Sequence, residues 1–568
     1  MKYSRRYMVF ALILIILFLF KFSAWGYEPS EIGQFRGANL DNEMWNPLIA
    51  QDVNKSVLQV SIDNQEYTSE GVHCFMNENR DIMVPVSILR DAFHCSAHVY
   101  EEEELLVEKH NKSVWMKLGE PDALCGEETV RMNSGLTRVE EELYVSINDL
   151  TGLLGYTCSF DITQNRIVVA DTDDSTIFPS RFDMREKYRV SDIRNQGIYG
   201  TCWAFAATSA LESSLYPEEK NLFSVDHMSR SNSFSVDPLN GGEYTMGMAY
   251  LAAWQGPVYE EDDPYGDGVT DGNLSPVKHV QEMRIIDGKN YEEIKEAVFQ
   301  FGGVQSSLYS TIKSSQGDSE YFNNENSAYC YIGTEKPNHD VVIVGWDDNY
   351  PAENFNTALE GDGAFICQNS WGSDFGEDGF FYVSYYDTNI GTHNVVYTRI
   401  EGTDNYDDIY QSDLCGWVGK MGYEEESIYG ANVFRARRNE SLAAVSFYAT
   451  GTDSEYELFV VKDFEDESSF EHRVRVGGGK LKYAGYYTAD LEKEVELTAG
   501  ERYAVVLMIH TPGATHPMAI EYNSGDEALA SVDLTDGEGY ISYNGSRFIN
   551  VKDKQDCNLC IKAFTKYH

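Results

Sequence analysis

The sequence predicts a multidomain α+β protein, and three observations carry that reading. At 568 residues the chain exceeds what one hydrophobic core organises. Its composition breaks sharply at an acidic, turn-rich segment near residue 172, "DTDDSTIFPSRFDM". Helix-forming runs concentrate in the middle of the chain, whereas strand-like alternation dominates its last third. The expected organisation is a signal peptide or signal anchor over 1–26, a linker over 27–55, a small α/β repeat domain over 56–171, a larger α+β domain over 172–402 and an all-β sandwich over 403–568.

At the N-terminus, Lys2, Arg5 and Arg6 precede an apolar stretch from Tyr7 to Phe20, and small residues follow at Ala24 and Gly26. That order is the charged, apolar and cleavage-site sequence of an export signal, with cutting expected after Gly26. The run falls short of the roughly 20 apolar residues of a spanning helix, so a membrane is a partner only if the segment stays uncleaved. The protein is therefore expected outside the cytoplasm, extracellular or at the cell surface. Acidic residues outnumber basic ones by 92 to 44, a formal net charge of −48. Such a surface repels phosphate backbones and excludes nucleic acid as a partner.

The repeat domain is read from an internal echo. "VPVSIL" at Val84–Leu89 and "VSINDL" at Val145–Leu150 are offset by 61 residues, and the same offset aligns Leu106-Val107 with Ile167-Val168. Each copy reads as a short strand, a small helix and a β-hairpin, the second hairpin turning at Thr163-Gln164-Asn165. The pattern resembles copper amine oxidase N-terminal-like domains. The name implies no copper here: His73, Cys74, His94, Cys95 and His98 lack regular ligand spacing, and no metal or cofactor is expected.

In the last third, "AAVSFYAT" and "YELFVV" alternate with period two, and "VELTAGERYAVVLMI" reads as strand, turn, strand. No helix-length amphipathic pattern competes. Among ten cysteines, Cys557-x-x-Cys560 stands without a second pair, so a bridge from Cys415 to one of them is preferred over a zinc or redox site. Cys330 and Cys367 are read either as a bridge or as buried thiols.

The middle domain carries the chemistry. Cys202 in "GIYGTCWAFAATSALESS" follows a glycine-bounded loop and opens an alanine-rich helical run. A helix N-terminus stabilises an anion and lowers a thiol pKa; the competing reading is a buried structural thiol. Downstream, "KPNHDVVIVGWDD" places His339 at the head of a β-branched run, 137 residues after Cys202, and "ICQNSWG" places Asn369 at the end of another strand. Gln196 lies six residues before the cysteine. This is the Cys, His and Asn spacing of papain-like proteases.

Residues 178–400 thus resemble the papain family, through "RNQGIYGTCWAF", "NHDVVIVGW", "QNSWG" and the Asn240-Gly241-Gly242 triplet. The resemblance implies a two-lobed peptidase, a helical lobe plus a β-barrel lobe, flanked by the repeat domain and the sandwich. It assigns Cys202 as nucleophile, His339 as base, Asn369 as the group orienting the imidazole, and Trp371 as the shield over that bond. It makes Gln196 and the Cys202 backbone N–H the oxyanion hole. Gly241 and Gly242 would admit an extended substrate backbone. Asp340, where the family carries a small apolar residue, would face the second residue on the acyl side and favour basic side chains. Tyr199 and Leu239 stand where the family has a disulfide, so an apolar contact between them is expected. No helical inhibitory propeptide is apparent, and activation by cleavage near residues 171–180 is an expectation. The chain also resembles bacterial papain-like proteins with a C-terminal lectin-like sandwich, whose aromatic residues, Trp417 among them, make a cell-surface glycan a candidate partner. The expected function is a cysteine endopeptidase acting on protein or peptide substrates through a thioester. The alternatives are a catalytically silent surface adhesin or scaffold and an exopeptidase of the same fold.

Overall fold

The computed structural model describes residues 59–62, 65–67, 74–77, 79, 81–93, 95–126, 128–139, 142–161, 166–171, 178–312, 317–552 and 555–568. The export signal expected over 1–26 lies outside these residues, as do His73, His94 and the turn at 163–165. The chain forms two compact units: one from residues up to Met83 with Ser146–Asp173, the other from Val84–Val145 with Asp174–His568.

Both repeats fold as strand, helix and hairpin. The second runs through Glu142–Ser146, a helix at Ile147–Leu154, and strands Tyr156–Asp161 and Arg166–Asp171. Its helix buries Ile147, Leu150, Thr151 and Leu154 on one face, is capped by the Ser146 hydroxyl accepting from the Asp149 N–H, and ends at Gly155 with φ 87°. In the first unit its hairpin joins Gln59–Ile62 and Gln65–Tyr67 in a four-stranded sheet. The first repeat's hairpin, β1 (Ser96–Tyr100) and β2 (Glu104–Lys109), instead heads a five-stranded antiparallel meander that continues to Arg131 in the second unit. The two copies share a pattern and enter different sheets.

In the second unit, helix α1 (Cys202–Leu215) is buried from Trp203 to Ser214. A helix that is apolar or small on every side belongs inside a core, and α2 (Tyr244–Ala252) packs beside it. The strand lobe comprises β3 (His279–Asp287), β4 (Val304–Leu308), β5 (His339–Asp347), β6 (Ala364–Gln368), β7 (Phe380–Ser384) and β8 (His393–Glu401), with helix α3 (Tyr291–Gln300) between β3 and β4. Their order is β7, β6, β5, β4, β8, β3. One core joins the lobes, with Trp203, Phe205, Tyr250, Trp346 and Phe365 among its buried members.

The sheet does not stop there. Strand β3 pairs antiparallel with β10 (Ala484–Leu497), which pairs with β9 (Glu440–Ala449) and through it with β11 (Ile561–Tyr567). The C-terminal region is therefore built onto the middle region as continuous sheet. Gly485 has φ 146°, and a Cβ there would overlap the Met283 carbonyl oxygen across the β3–β10 pair. Trp254 stacks on His279 at 3.5 Å and meets Phe564 from the sandwich. A second sheet, containing Ser427–Arg435, Ser454–Val461 and Arg502–His510, closes the sandwich over a core including Leu458, Tyr503 and Leu507. The described residues of this region contain strands and 3-10 turns but no α-helix.

All ten cysteines are free. The bridge expected from Cys415 does not form: its Sγ donates to the Ser233 carbonyl, and the Cys560 Sγ donates to the Gly416 carbonyl. Cys330 and Cys367 are buried thiols.

Candidate active site

Cys202 is the first residue of α1, and the Ala204 and Phe205 N–H groups close on the Thr201 carbonyl behind it. The Thr201 side chain does not cap the helix; its hydroxyl meets the Tyr265 hydroxyl at 2.7 Å, and that tyrosine donates to the Gln196 carbonyl. Uncapped N–H groups at Cys202 and Trp203 are thus left facing the sulfur, together with the Asp340 N–H from the head of β5.

His339, beside Asp340, donates from Nε2 to the Asn369 Oδ1 at 2.8 Å. Trp371 lies over the imidazole with ring centroids 4.5 Å apart and 25° between planes, and both rings are buried. Asn369 ends up there because β6 stops at Gln368 and the chain turns through Ser370 to Gly372. That turn also holds the oxyanion candidate: the Gln196 N–H donates to the Ser370 carbonyl, and the Ser370 hydroxyl donates to the Gln196 Oε1 at 2.7 Å. The Gln196 Nε2 spends one hydrogen on the Tyr199 carbonyl and carries a second. Arg194 ties the same loop to α1 through the buried Glu212 at 2.9 Å.

Burial pushes the Cys202 thiol up to about 12, with the Asp340 carboxylate adding to the rise against the three N–H groups. Burial also lowers His339 to about 4, against the Asn369 hydrogen bond. The lowering expected from the helix N-terminus alone is therefore outweighed by desolvation. Burial thus favours the neutral thiol and the neutral imidazole.

Asp340, the expected specificity residue, has its side chain inside the lobe. Its carboxylate is buried, accepting from the Ser307 hydroxyl at 2.7 Å and from the Gln305 Nε2 at 3.0 Å, and Gln305 reaches on to the Trp203 carbonyl. Burial holds its pKa above the usual carboxylate range, and Glu243 adds to that while His393 opposes it. Gly242 also acquires a second reason: a Cβ there would strike the Trp203 indole, whereas a Cβ on Gly241, at φ 90°, would meet only the Gly200 carbonyl oxygen at 3.8 Å. Tyr199 packs edge-on to Tyr265 and under Arg230, while Leu239 is 56% exposed. The loops are joined instead by the Gly200 N–H donating to the Pro238 carbonyl.

The description "papain family cysteine protease" matches residues 178–400, "copper amine oxidase N-terminal domain" 61–169 and "lectin like domain" 409–565. Residues 178–400 are a papain-family cysteine protease domain. Two solved structures of Cwp84 are similar to this chain. One, a clostridial cysteine protease after propeptide cleavage, is 27% identical with a TM-score of 0.62, covering 69% of this chain and 100% of that one. The other holds the cysteine protease and lectin-like domains of Cwp84, described as a surface layer associated protein of Clostridium difficile, at 25% identity and a TM-score of 0.60, covering 69% of this chain and 89% of that one. The peptidase domain is also 28% identical over 210 residues to a viral cathepsin of Epiphyas postvittana nucleopolyhedrovirus, covering 36% of this chain and 59% of that protein. A cysteine protease of Blomia tropicalis is 27% identical over 238 residues, covering 38% and 65%. The chain thus spans less than two thirds of these two relatives.

Several residues of the site escaped the sequence reading. Gln305 and Ser307 share one face of the fully buried strand VQSSL, whose middle three residues are polar, and polar residues in a buried strand are a signal in themselves. Ser370 sits inside "QNSWG" yet holds Gln196. Tyr265 lies in an acidic loop and carries no local mark of its contact with Thr201. Among the described residues, no group of three or more His, Cys, Asp or Glu side chains is placed to hold a metal ion, and no helix is long and apolar enough to cross a membrane.

Proposed function

We propose that this protein is a secreted or cell-surface cysteine endopeptidase. In this reading Cys202 attacks the peptide carbonyl and His339 takes the thiol proton and returns it to the leaving amine. The acyl group stays on the sulfur as a thioester until water hydrolyses it. The Gln196 Nε2 and the Cys202 N–H donate to the oxyanion, each such donor being worth about 2.7–4 kcal/mol. The observation that carries the reading is the His339–Asn369 bond at 2.8 Å beneath Trp371, an arrangement that holds one tautomer with Nδ1 free for the proton.

The domain limits proposed are 56–171, 172–402 and 403–568; the matched spans, 61–169, 178–400 and 409–565, lie within them. Placement at a cell surface is supported by the basic-then-apolar N-terminus and by the likeness to a surface layer associated protein. A glycan ligand for the C-terminal domain is supported by its match to lectin-like domains. Asp340, with Glu243 near it, is proposed to favour a basic side chain at the second acyl-side residue.

The test is digestion of quenched peptides blocked at both ends, followed by mass mapping of products. Internal cuts that vanish in Cys202→Ala are expected. Cutting only of the same peptides left unblocked, next to their free termini, would favour an exopeptidase, and no cutting of either set would favour a silent adhesin.

A further inference from the structure

The first repeat's hairpin is seated on the peptidase domain at the far end of α1 from Cys202. The Val99 N–H donates to the Glu218 carboxylate at 2.9 Å, and the buried His98 Nδ1 lies 3.3 Å from the same oxygen. Glu218 is three residues past the end of α1. The neighbouring contacts belong to the start of the peptidase domain: Lys187 pairs with Glu108 at 3.0 Å, the Tyr100 hydroxyl donates to the Lys187 carbonyl, and His110 meets the Phe178 ring edge-on. Arg189, fully buried, lies in the field of Tyr100, Glu218 and Glu108. Strand β1 packs against α3. A 14-residue helix is about 20 Å long at 1.5 Å per residue, which sets the Glu218 contacts about that far from the nucleophile.

A propeptide that inhibits must cover the reacting groups. This module buries charges behind them, and undocking it would expose Arg189 and unpair Glu108, Lys187 and Glu218. We infer that residues 95–131 are a rear clamp that remains seated when the chain is cut between residues 171 and 178, leaving Cys202 open to substrate before and after the cut. The last clause rests on the peptidase reading.

The test replaces residues 172–177 with the site of a sequence-specific protease, cuts the chain, and runs the product on a sizing column with light scattering. Both fragments are expected in one species of unchanged mass, and separation of the fragments would overturn the inference. Glu218→Ala combined with Lys187→Ala, in a chain whose melting before cutting is still cooperative, is expected to lower the retained fraction tenfold or more. Unchanged retention would mean that other residues hold the fragment, and would overturn the clamp. Labelling of Cys202 by an epoxysuccinyl inhibitor is expected at rates within about twofold before and after cutting. A tenfold rise on cutting would overturn the open site, and absent labelling in both forms would overturn it together with the peptidase reading, while co-elution still decides the seating.

Discussion

Ser307 donates from Oγ to the Asp340 carboxylate at 2.7 Å, and the two are register partners on β4 and β5. Through this pair a negative charge is held beside the Cys202 sulfur, where it opposes thiolate formation. Asp340→Asn removes that charge while keeping the volume, so the thiol becomes more acidic. Alkylation by iodoacetamide followed against pH should show its midpoint move downward, and each pH unit by which the midpoint falls should make modification near pH 7 about tenfold faster. An upward or unchanged midpoint would mean that the carboxylate does not act on the sulfur.

The selectivity proposed for Asp340 has a separate test. With Asp340→Ala, kcat/KM for peptides carrying Arg at the second acyl-side residue should fall relative to Leu. An equal ratio before and after the substitution would remove the specificity role and leave the electrostatic one.

Gln196→Ala should lower kcat by about 10²–10³ with KM little changed, because the donor acts chiefly on the oxyanion. Ser370→Ala should cost less, since Gln196 loses a positioning bond but keeps its donor. Steady-state kinetics on one peptide checks both; a larger loss at Ser370 than at Gln196 would contradict the assignment.

Gly485→Ala should destabilise the whole unit, because a Cβ overlaps the Met283 carbonyl at the β3–β10 pair and the backbone is held at φ 146°. The strained backbone alone costs roughly 1–3 kcal/mol. Calorimetry should show peptidase and sandwich melting together at a lower temperature. For the same reason residues 172–402 expressed alone should aggregate through the unpaired edge of β3.

Acid should loosen the rear contact. Burial and the nearby Arg189 and Arg90 hold His98 down at about 3, against Glu218, from an ordinary 6.5. The folded state therefore keeps His98 neutral while the unfolded state takes up a proton below pH 6.5. Stability from this residue is full above pH 6.5 and is lost as pH falls toward 3, with a slope of up to about 1.4 kcal/mol per pH unit. Denaturant melts from pH 7 to 4 should show this slope, and His98→Phe should flatten it.

The placement of the candidate catalytic residues at element boundaries was legible: Cys202 at a helix start behind glycines, His339 at a strand head, Asn369 just past a strand end. The repeat was legible because strand, helix and hairpin leave a periodic trace. Long-range pairing was not. Glu282 and Tyr487 are register partners across more than 200 residues, and nothing local in "HVQEMRIID" says that its second edge is taken by another domain. Nor does local sequence show that Asp340 turns inward to Ser307, that Trp203 fills the space over Gly242, or that Cys415 stays a thiol. Each depends on which strands become neighbours.

Cys202 and His339 are proposed to act as one reacting unit. The direct test labels the purified protein with an epoxysuccinyl inhibitor and maps the adduct in the parent, Cys202→Ala and His339→Ala chains. The expected result is a single adduct on Cys202, absent from both variants. Labelling that persists in His339→Ala, or that falls on one of the other nine cysteines, would contradict it.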